Sequence, residues 1–217
     1  MKICVILPAF NEAANILKLV DEIKKHSLDM LVIDDGSSDG TFNIAKNAGV
    51  QCMLNLENQG KGASLIKGFK YALDKNYDAV ITMDSDGQHL AQDLHVFTES
   101  ARNPDIKIII GNRMGNVRNM PALRVWTNRF MSWLISQISG QSIPDSQCGF
   151  RLIKREVLEK IRLKTSKYET ESEILIKASR MGFRIESVPI KSIYGNEKSS
   201  INPFIDTLRF IRLVMRG

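Results

Sequence analysis

Through the first half of the chain, short apolar runs alternate with longer segments in which apolar residues recur at helical spacing. Ile3–Leu7 reads as a buried strand, and Ala13–Lys25 as a helix with Ile16, Leu19, Val20 and Ile23 on one face. Met30–Ile33 reads as a second strand running into Asp34 and Asp35, with Asp39 as N-cap of a helix over Thr41–Asn47. Val50–Leu54 is expected to be a third strand, followed by a helix that opens at Gly60–Gly62 and runs to Lys75. Ala79–Met83 and Lys107–Ile110 complete five strands. Strands at this spacing, apolar on both faces and separated by helices, predict an α/β fold on a mostly parallel sheet flanked by helices.

Beyond about residue 112 the order loosens. The periodicity predicts a long amphipathic helix over Pro121–Ser139, a short strand near Phe150–Ile153, a helix over Glu171–Arg180 and a strand over Phe183–Val188. Phe204–Arg216 is helical by period, with Phe204, Leu208, Ile211 and Met215 on one face and Arg209, Arg212 and Arg216 around it. No low-complexity linker interrupts the chain, so 1–217 is expected to be one domain. Its parts are 1–112, 113–200 and a basic terminal helix over 201–217.

Composition narrows the classes. With 217 residues, 43% hydrophobic and 25% charged, the chain is long enough for a substantial core and is neither a disordered segment nor a disulfide scaffold. The net charge of +6 suggests nucleic acid until the chain is divided. Residues 1–100 hold 9 Lys and Arg against 14 Asp and Glu; residues 101–217 hold 21 against 10, including every arginine. Cys4, Cys52 and Cys148 are odd in number and scattered, which suits a reducing compartment and gives no zinc spacing. His26, His89 and His95 are too dispersed for a metal cluster. The start of the chain lacks the pattern of a secretory leader, and no apolar run approaches the ~18–20 residues of a membrane span, so a soluble or peripheral protein is expected.

Ligands of open α/β sheets bind at the carboxyl ends of the strands. Three predicted strands end there in unusual residues: Pro8-Ala9-Phe10-Asn11-Glu12, Asp34-Asp35-Gly36-Ser37-Ser38-Asp39-Gly40, and Asp84-Ser85-Asp86-Gly87-Gln88-His89. One carboxylate after a strand is adequately read as a helix cap. Three acidic strand ends on one rim ask for more. Asp84 and Asp86, two apart in a turn, suit a hard cation with oxygen ligands, Mg²⁺ or Mn²⁺, which would in turn hold a pyrophosphate. Asn58-Gln59-Gly60-Lys61-Gly62-Ala63 lacks the spacing of the common phosphate loop. It reads either as a glycine-rich helix start with a solvated lysine, or as a loop that turns Lys61 toward a ligand.

Together, Pro-Ala-Phe-Asn-Glu, Val-Ile-Asp-Asp-Gly-Ser-Ser-Asp-Gly-Thr, Asn-Gln-Gly-Lys-Gly and Asp-Ser-Asp-Gly-Gln-His resemble the family 2 glycosyltransferases of GT-A fold. Gly111-Asn112-Arg113, Asp145-Ser146-Gln147-Cys148-Gly149-Phe150-Arg151 and Tyr194-Gly195-Asn196-Glu197-Lys198 resemble its dolichyl-phosphate mannosyltransferase-like branch, in consistent order from Met1 to about Arg212. The resemblance implies that 1–112 binds a nucleotide-sugar donor, GDP-mannose or a UDP-hexose, and that 113–200 serves the acceptor. It implies Pro8, Ala9, Phe10 and Glu12 at the base and ribose, with Ile33 and Asp35 beside them. Asp84 and Asp86, with Ser85 between them, would hold the divalent cation on the donor pyrophosphate, completed by Gln88. Arg113 would meet the donor phosphates, and Lys198 would lie near the same pocket. Where close relatives have an arginine two residues before the Tyr-Gly pair, this chain has Ser192.

By the same resemblance the reaction inverts the anomeric carbon in a single displacement, and the acceptor is a polyprenyl phosphate. Such an acceptor is already anionic, so positioning and charge stabilisation outweigh a general base. Arg151, Arg118 and Arg124 are candidates to grip it, the last two equally readable as a solvated basic face. Asp145 is the candidate base if the acceptor is instead a hydroxyl. Glu171 and Glu173 read as acceptor-site groups or helix surface. The terminal basic helix is expected to meet the membrane surface, a membrane partner protein or the domain core, placing the chain at the cytoplasmic face; nucleic acid is not an expected partner. Competing readings are a transferase to a glycan or soluble hydroxyl, a phosphohydrolase with Asp84 as nucleophile, and a non-catalytic nucleotide-sugar sensor.

Overall fold

A computed structural model describes residues 1–118 and 120–193. Lys198 and the rest of the Tyr194–Lys198 motif lie outside them, as does the basic helix expected over 201–217. The strands are β1 (Ile3–Ala9), β2 (Asp29–Asp34), β3 (Gln51–Leu54), β4 (Ala79–Thr82), β5 (Ile106–Asn112), β6 (Arg151–Lys154) and β7 (Arg184–Pro189). They form one sheet in the order β3-β2-β1-β4-β6-β5-β7. The helices are α1 (Ile16–Lys24), α2 (Thr41–Asn47), α3 (Lys61–Asp74), α4 (Leu94–Ser100), α5 (Ala122–Ser139), α6 (Arg155–Lys160) and α7 (Glu169–Arg180). The short α4 and α6 were not expected, because six or seven residues display less than two full helical turns of period.

The first four strands are parallel, and Val5, Ile6, Leu7, Leu31, Val32, Ile33, Val80 and Ile81 are wholly buried among them. The chain winds from β1 outward to β2 and β3, then returns to β4 on the other side of β1. The crevice between the ends of β1 and β4 is therefore the switch point at which such sheets bind ligands. β6 departs from the parallel pattern: it is antiparallel to both β4 and β5. Because it runs backwards, its start lies at the finish of its neighbours, with Arg151 opposite Thr82 and Ile110. The segment just before β6 is thereby delivered to the same rim as the ends of β1, β4 and β5.

Helix α1 begins three residues later than the periodicity suggests, because residues 11–13 are held by the turn after β2. Asn11 sits at φ +56°, its amide N–H donating to Ser37 Oγ at 2.9 Å. Its side-chain oxygen accepts from the Ser38 amide at 3.0 Å. Asp39, expected as the N-cap of α2, stands one residue earlier than the cap, Gly40 at φ +91°. Its carboxylate still accepts from the Thr41 amide at 3.0 Å, and its other oxygen accepts from the Ala13 amide at 2.9 Å, so it joins the two turns.

Candidate active site

The ends of β1, β2 and β4 are stitched to one another. Buried Ser85 donates its hydroxyl to the Pro8 carbonyl at 2.9 Å, and the Asp35 amide donates to the Ala9 carbonyl at 2.8 Å. Pro8 is half-buried, Ala9 and Ile33 are interior, and Phe10 is exposed beyond them. Glu12 is fixed at its amide by Thr41 Oγ1 at 2.8 Å, and its carboxylate accepts from Asn15 at 2.9 Å.

Asp35 organises the glycine-rich loop. Its carboxylate accepts from the Gln59 and Gly60 amides at 3.0 and 2.8 Å and from the Asn55 side chain at 2.8 Å. Gly60 is at φ +100°, which glycine adopts readily, so the loop can wrap the carboxylate before α3 begins. Asp34, quoted in its motif but given no role from sequence, is fully buried. One of its oxygens accepts from the Ser37 amide at 2.7 Å and the other has no partner among the described residues. A buried, unpartnered acceptor at a strand end is costly unless a ligand donates to it.

Lys61 faces inward and is not a solvated lysine. Its ammonium lies 2.5 Å from Asp84 and 3.0 Å from Glu171, with 17% of its side chain exposed. Burial works to lower the Lys61 pKa, but the two carboxylates outweigh it and hold the ammonium firmly charged. Burial likewise works to raise Asp84, but Lys61, together with a hydrogen bond from His89, keeps its carboxyl well below the usual carboxylate range. Asp86 moves the other way, raised by burial and by the neighbouring charge of Asp84. Its Oδ1 accepts from the Gln88 amide at 2.9 Å, which closes the turn.

Gly149 forms the floor under Asp84. A Cβ there would lie 2.5 to 2.8 Å from the Asp84 carboxylate, so the chain leaves no room for a side chain at this point. The geometry fits a hard divalent cation. The donors are two carboxylates of one turn whose mutual repulsion such an ion relieves, with the Gln88 amide beside them. Among the described residues no three His, Cys, Asp or Glu gather into a metal cage.

Arg113, Asp145 and Arg151 stand where β5 ends and β6 begins, whereas Arg118 is exposed before α5 and Arg124 is half-buried on α5. Arg113 and Asp145 make a buried bidentate pair, with Nε and Nη2 at 2.7 and 2.9 Å from the two carboxylate oxygens and the Arg113 amide at 3.0 Å. Asp145 is wholly buried behind the arginine it orients. Arg151 is 1% exposed, and its guanidinium donates to the carbonyls of Cys148, Ser146 and Glu171 at 2.6 to 2.7 Å. In this geometry it braces the Ser146–Gly149 loop against the first turn of α7. Glu173 is also interior and accepts from the Lys164 and Thr165 amides at 3.0 Å. Glu171, His89 and Gly149 are the members of the cluster to which sequence reasoning gave no definite place. A lone histidine, a helix glutamate and a loop glycine carry no periodic signal.

The family model Glycosyl transferase family 2 matches residues 4–162. The UDP-N-acetylglucosamine--dolichyl-phosphate N-acetylglucosaminyltransferase of Methanococcus voltae is 31% identical over 238 residues, which cover 98% of this chain and 95% of that one. The polyprenol monophosphomannose synthase of Mycolicibacterium smegmatis is 30% identical over 200 residues, 86% of this chain and 75% of that one. Among solved structures, glucosyl-3-phosphoglycerate synthase from Mycobacterium tuberculosis, in complex with Mn²⁺, UDP-glucose and phosphoglyceric acid, superposes with a TM-score of 0.78 at 20% identity. That superposition covers 99% of this chain and 79% of the other. The likeness bears on the fold alone and agrees with the GT-A architecture expected from sequence.

Proposed function

The chain belongs to glycosyl transferase family 2, and from that premise we propose that it moves a sugar from a nucleotide donor to a polyprenyl phosphate, inverting the anomeric carbon. The donor is GDP-mannose or a UDP-hexose, and the reaction takes place at the cytoplasmic face of a membrane. The observation that carries the reading is the Asp84-Ser85-Asp86 turn at the sheet's switch point, floored by Gly149 and flanked by Lys61. Support for the acceptor comes from relatives named for dolichyl-phosphate and polyprenol substrates that align along most of the chain.

The donor's nucleoside lies along the ends of β1 and β2, against Pro8, Ala9, Phe10, Glu12 and Ile33. Asp34 offers its unpartnered oxygen to a base N–H, and Asp35 shapes the adjoining loop. Asp84 and Asp86, with Gln88, would hold Mg²⁺ or Mn²⁺ beside the diphosphate. When bound, that ion supplies Lewis-acid stabilisation of the leaving nucleoside diphosphate. Lys61 keeps Asp84 ionised and aimed, and Arg113, locked by Asp145, presents its guanidinium to phosphate. Lys198 adds charge to the same phosphates.

An oxygen of the acceptor phosphate attacks the anomeric carbon as the bond to the donor's diphosphate oxygen breaks in line. The acceptor is anionic at neutral pH, so no side chain has to remove a proton. Asp145, with both oxygens on Arg113, accordingly works as a positioning residue. Arg151 works in the same way, through the loop it braces.

The test is a thermal-shift panel of GDP- and UDP-sugars with Mn²⁺ or Mg²⁺, since a ligand of the native state raises its apparent stability. Transfer to detergent-dispersed polyprenyl phosphate is then followed by mass spectrometry. A metal-dependent shift with one donor, abolished by Asp86→Ala, and a glycosylated lipid phosphate are expected. No shift with any donor, or a shift that survives Asp86→Ala, sinks the donor-site reading. Transfer only to soluble hydroxyls sinks the acceptor.

A further inference from the structure

Helix α5 carries large apolar residues on its solvent face as well as on its inner one. Its buried positions are Asn128, Ser132 and Ile135, whereas Leu123 and Trp126 are 75% exposed, Phe130 49% and Trp133 57%. The inner face docks through Ile135, with Met131, Leu134 and Ile138 partly buried against the core, and through hydroxyls: Ser132 Oγ accepts from the Ser146 amide at 2.8 Å, and Ser136 Oγ from the Ile143 amide at 2.9 Å. The spacing of 123, 126, 130 and 133 sets the four apolar side chains along one outward stripe about 15 Å long. The Phe130 and Trp133 rings touch, with centroids 6.1 Å apart. An amphipathic helix on a water-soluble surface ordinarily turns its large apolar residues inward, and a contiguous exposed patch of this kind marks a contact surface.

Charge identifies what the surface meets. From Ile106 to Pro144 the chain has no Asp or Glu. Arg113 is buried on Asp145 and Lys107 pairs with Glu156, so Arg118 and Arg129 supply the surface cations, with half-buried Arg124 between them. Arg118 and Arg129 are exposed. Tryptophan and phenylalanine beside arginines, in a segment without a carboxylate of its own, is the composition of a helix lying in a membrane–water interface. Among the described residues no helix is long and apolar enough to cross a membrane. We propose that the outer face of α5 docks on an anionic lipid bilayer, the helix lying in the plane of the headgroups. The proposal needs the surface alone and not the acceptor assigned above. It does account for a lipid reaching the rim, because the inner face of α5 holds the loop that carries Asp145, the partner of Arg113.

Trp126 and Trp133 are the two tryptophans of the chain, so native fluorescence reports on this face alone. The full chain is mixed with vesicles of phosphatidylcholine, with or without phosphatidylglycerol, and followed by sedimentation and tryptophan emission. Binding to the anionic vesicles is expected, with a blue-shifted emission that brominated lipid quenches. The double variant Trp126→Ser/Trp133→Ser should partition about tenfold more weakly or worse. Sedimentation with an unchanged emission, or a double variant that binds like the parent, means that another segment docks and overturns the proposal. Failure to bind either vesicle overturns it too, and a concentration-dependent blue shift without lipid assigns the face to a second copy of the chain. Transfer to detergent-dispersed acceptor should survive the double variant. Loss of transfer with vesicle binding intact would count against the proposed function and leave the docking face standing.

Discussion

Replacing Gly149 by alanine puts one methyl group against Asp84, one of the two carboxylates on which the proposed function depends. Its backbone is outside the left-handed region, so alanine carries no conformational penalty there. The cost is contact: the added Cβ would lie 2.5 Å from the nearer Asp84 oxygen, where ordinary contact begins at 3.4 Å. Something must therefore yield by about 0.9 Å. The loop is held by Arg151 on the Cys148 carbonyl at 2.7 Å and by Thr82 Oγ1 on the Gly149 carbonyl at 2.8 Å. Asp84 is a side chain and yields first, breaking its 2.5 Å pairing with Lys61. A displacement near 1 Å of a group that positions reactants costs on the order of 100-fold in kcat/KM, whereas one overpacked methyl costs stability about 1–2 kcal/mol. Steady-state transfer kinetics at varied Mn²⁺, with urea unfolding alongside, separate the two effects. Gly115→Ala is the control, because nothing among the described residues lies within 4 Å of a Cβ at that position. A Gly149→Ala enzyme with parental kcat/KM and parental Mn²⁺ dependence would refute the assignment of Asp84 to the cation.

Asp145→Asn should lower transfer to any acceptor by at least about tenfold, because one oxygen of the bidentate pair becomes an NH₂ that repels Arg113; an activity that survives unchanged would show that the pair positions nothing. Glu173→Gln should destabilise the chain by roughly 2–3 kcal/mol at pH 7, because a buried carboxylate that accepts from two amides, Thr165 Oγ1 and Lys177 is replaced. Burial works to raise the Glu173 pKa, but these donors outweigh it and the folded value is lowered. Its contribution is therefore complete above the unfolded glutamate pKa of about 4.3 and is lost as pH falls through the folded value. Urea unfolding of parent and variant at pH 7 and in acid should show the gap closing in acid. Burial pushes the Cys4 and Cys148 thiols up to about 12, so a thiol reagent at pH 8 should modify half-buried Cys52 first, as peptide mapping would reveal.

The local grammar of the fold was open to reading because it is written in neighbouring residues. The buried faces of β1, β2 and β4 and the stripe of α1 follow from period alone, and Asp84-Ser85-Asp86 stood out because a strand pattern stops there. The β6 segment was legible as a strand but not in its direction. Direction decides everything at the rim: only an antiparallel β6 brings Cys148-Gly149-Phe150 to the end of β4. Lys61 looked equally like a solvated lysine, and its pairing spans 110 residues to Glu171, a separation that no local pattern reports. For α5, period predicted an amphipathic helix but not which side faces in. The sequence by itself determined the strands, their acidic ends and the family. Tertiary structure decided which distant residues share the rim and which face of α5 meets solvent, because strand direction and burial depend on contacts between segments that periodicity within one segment does not record.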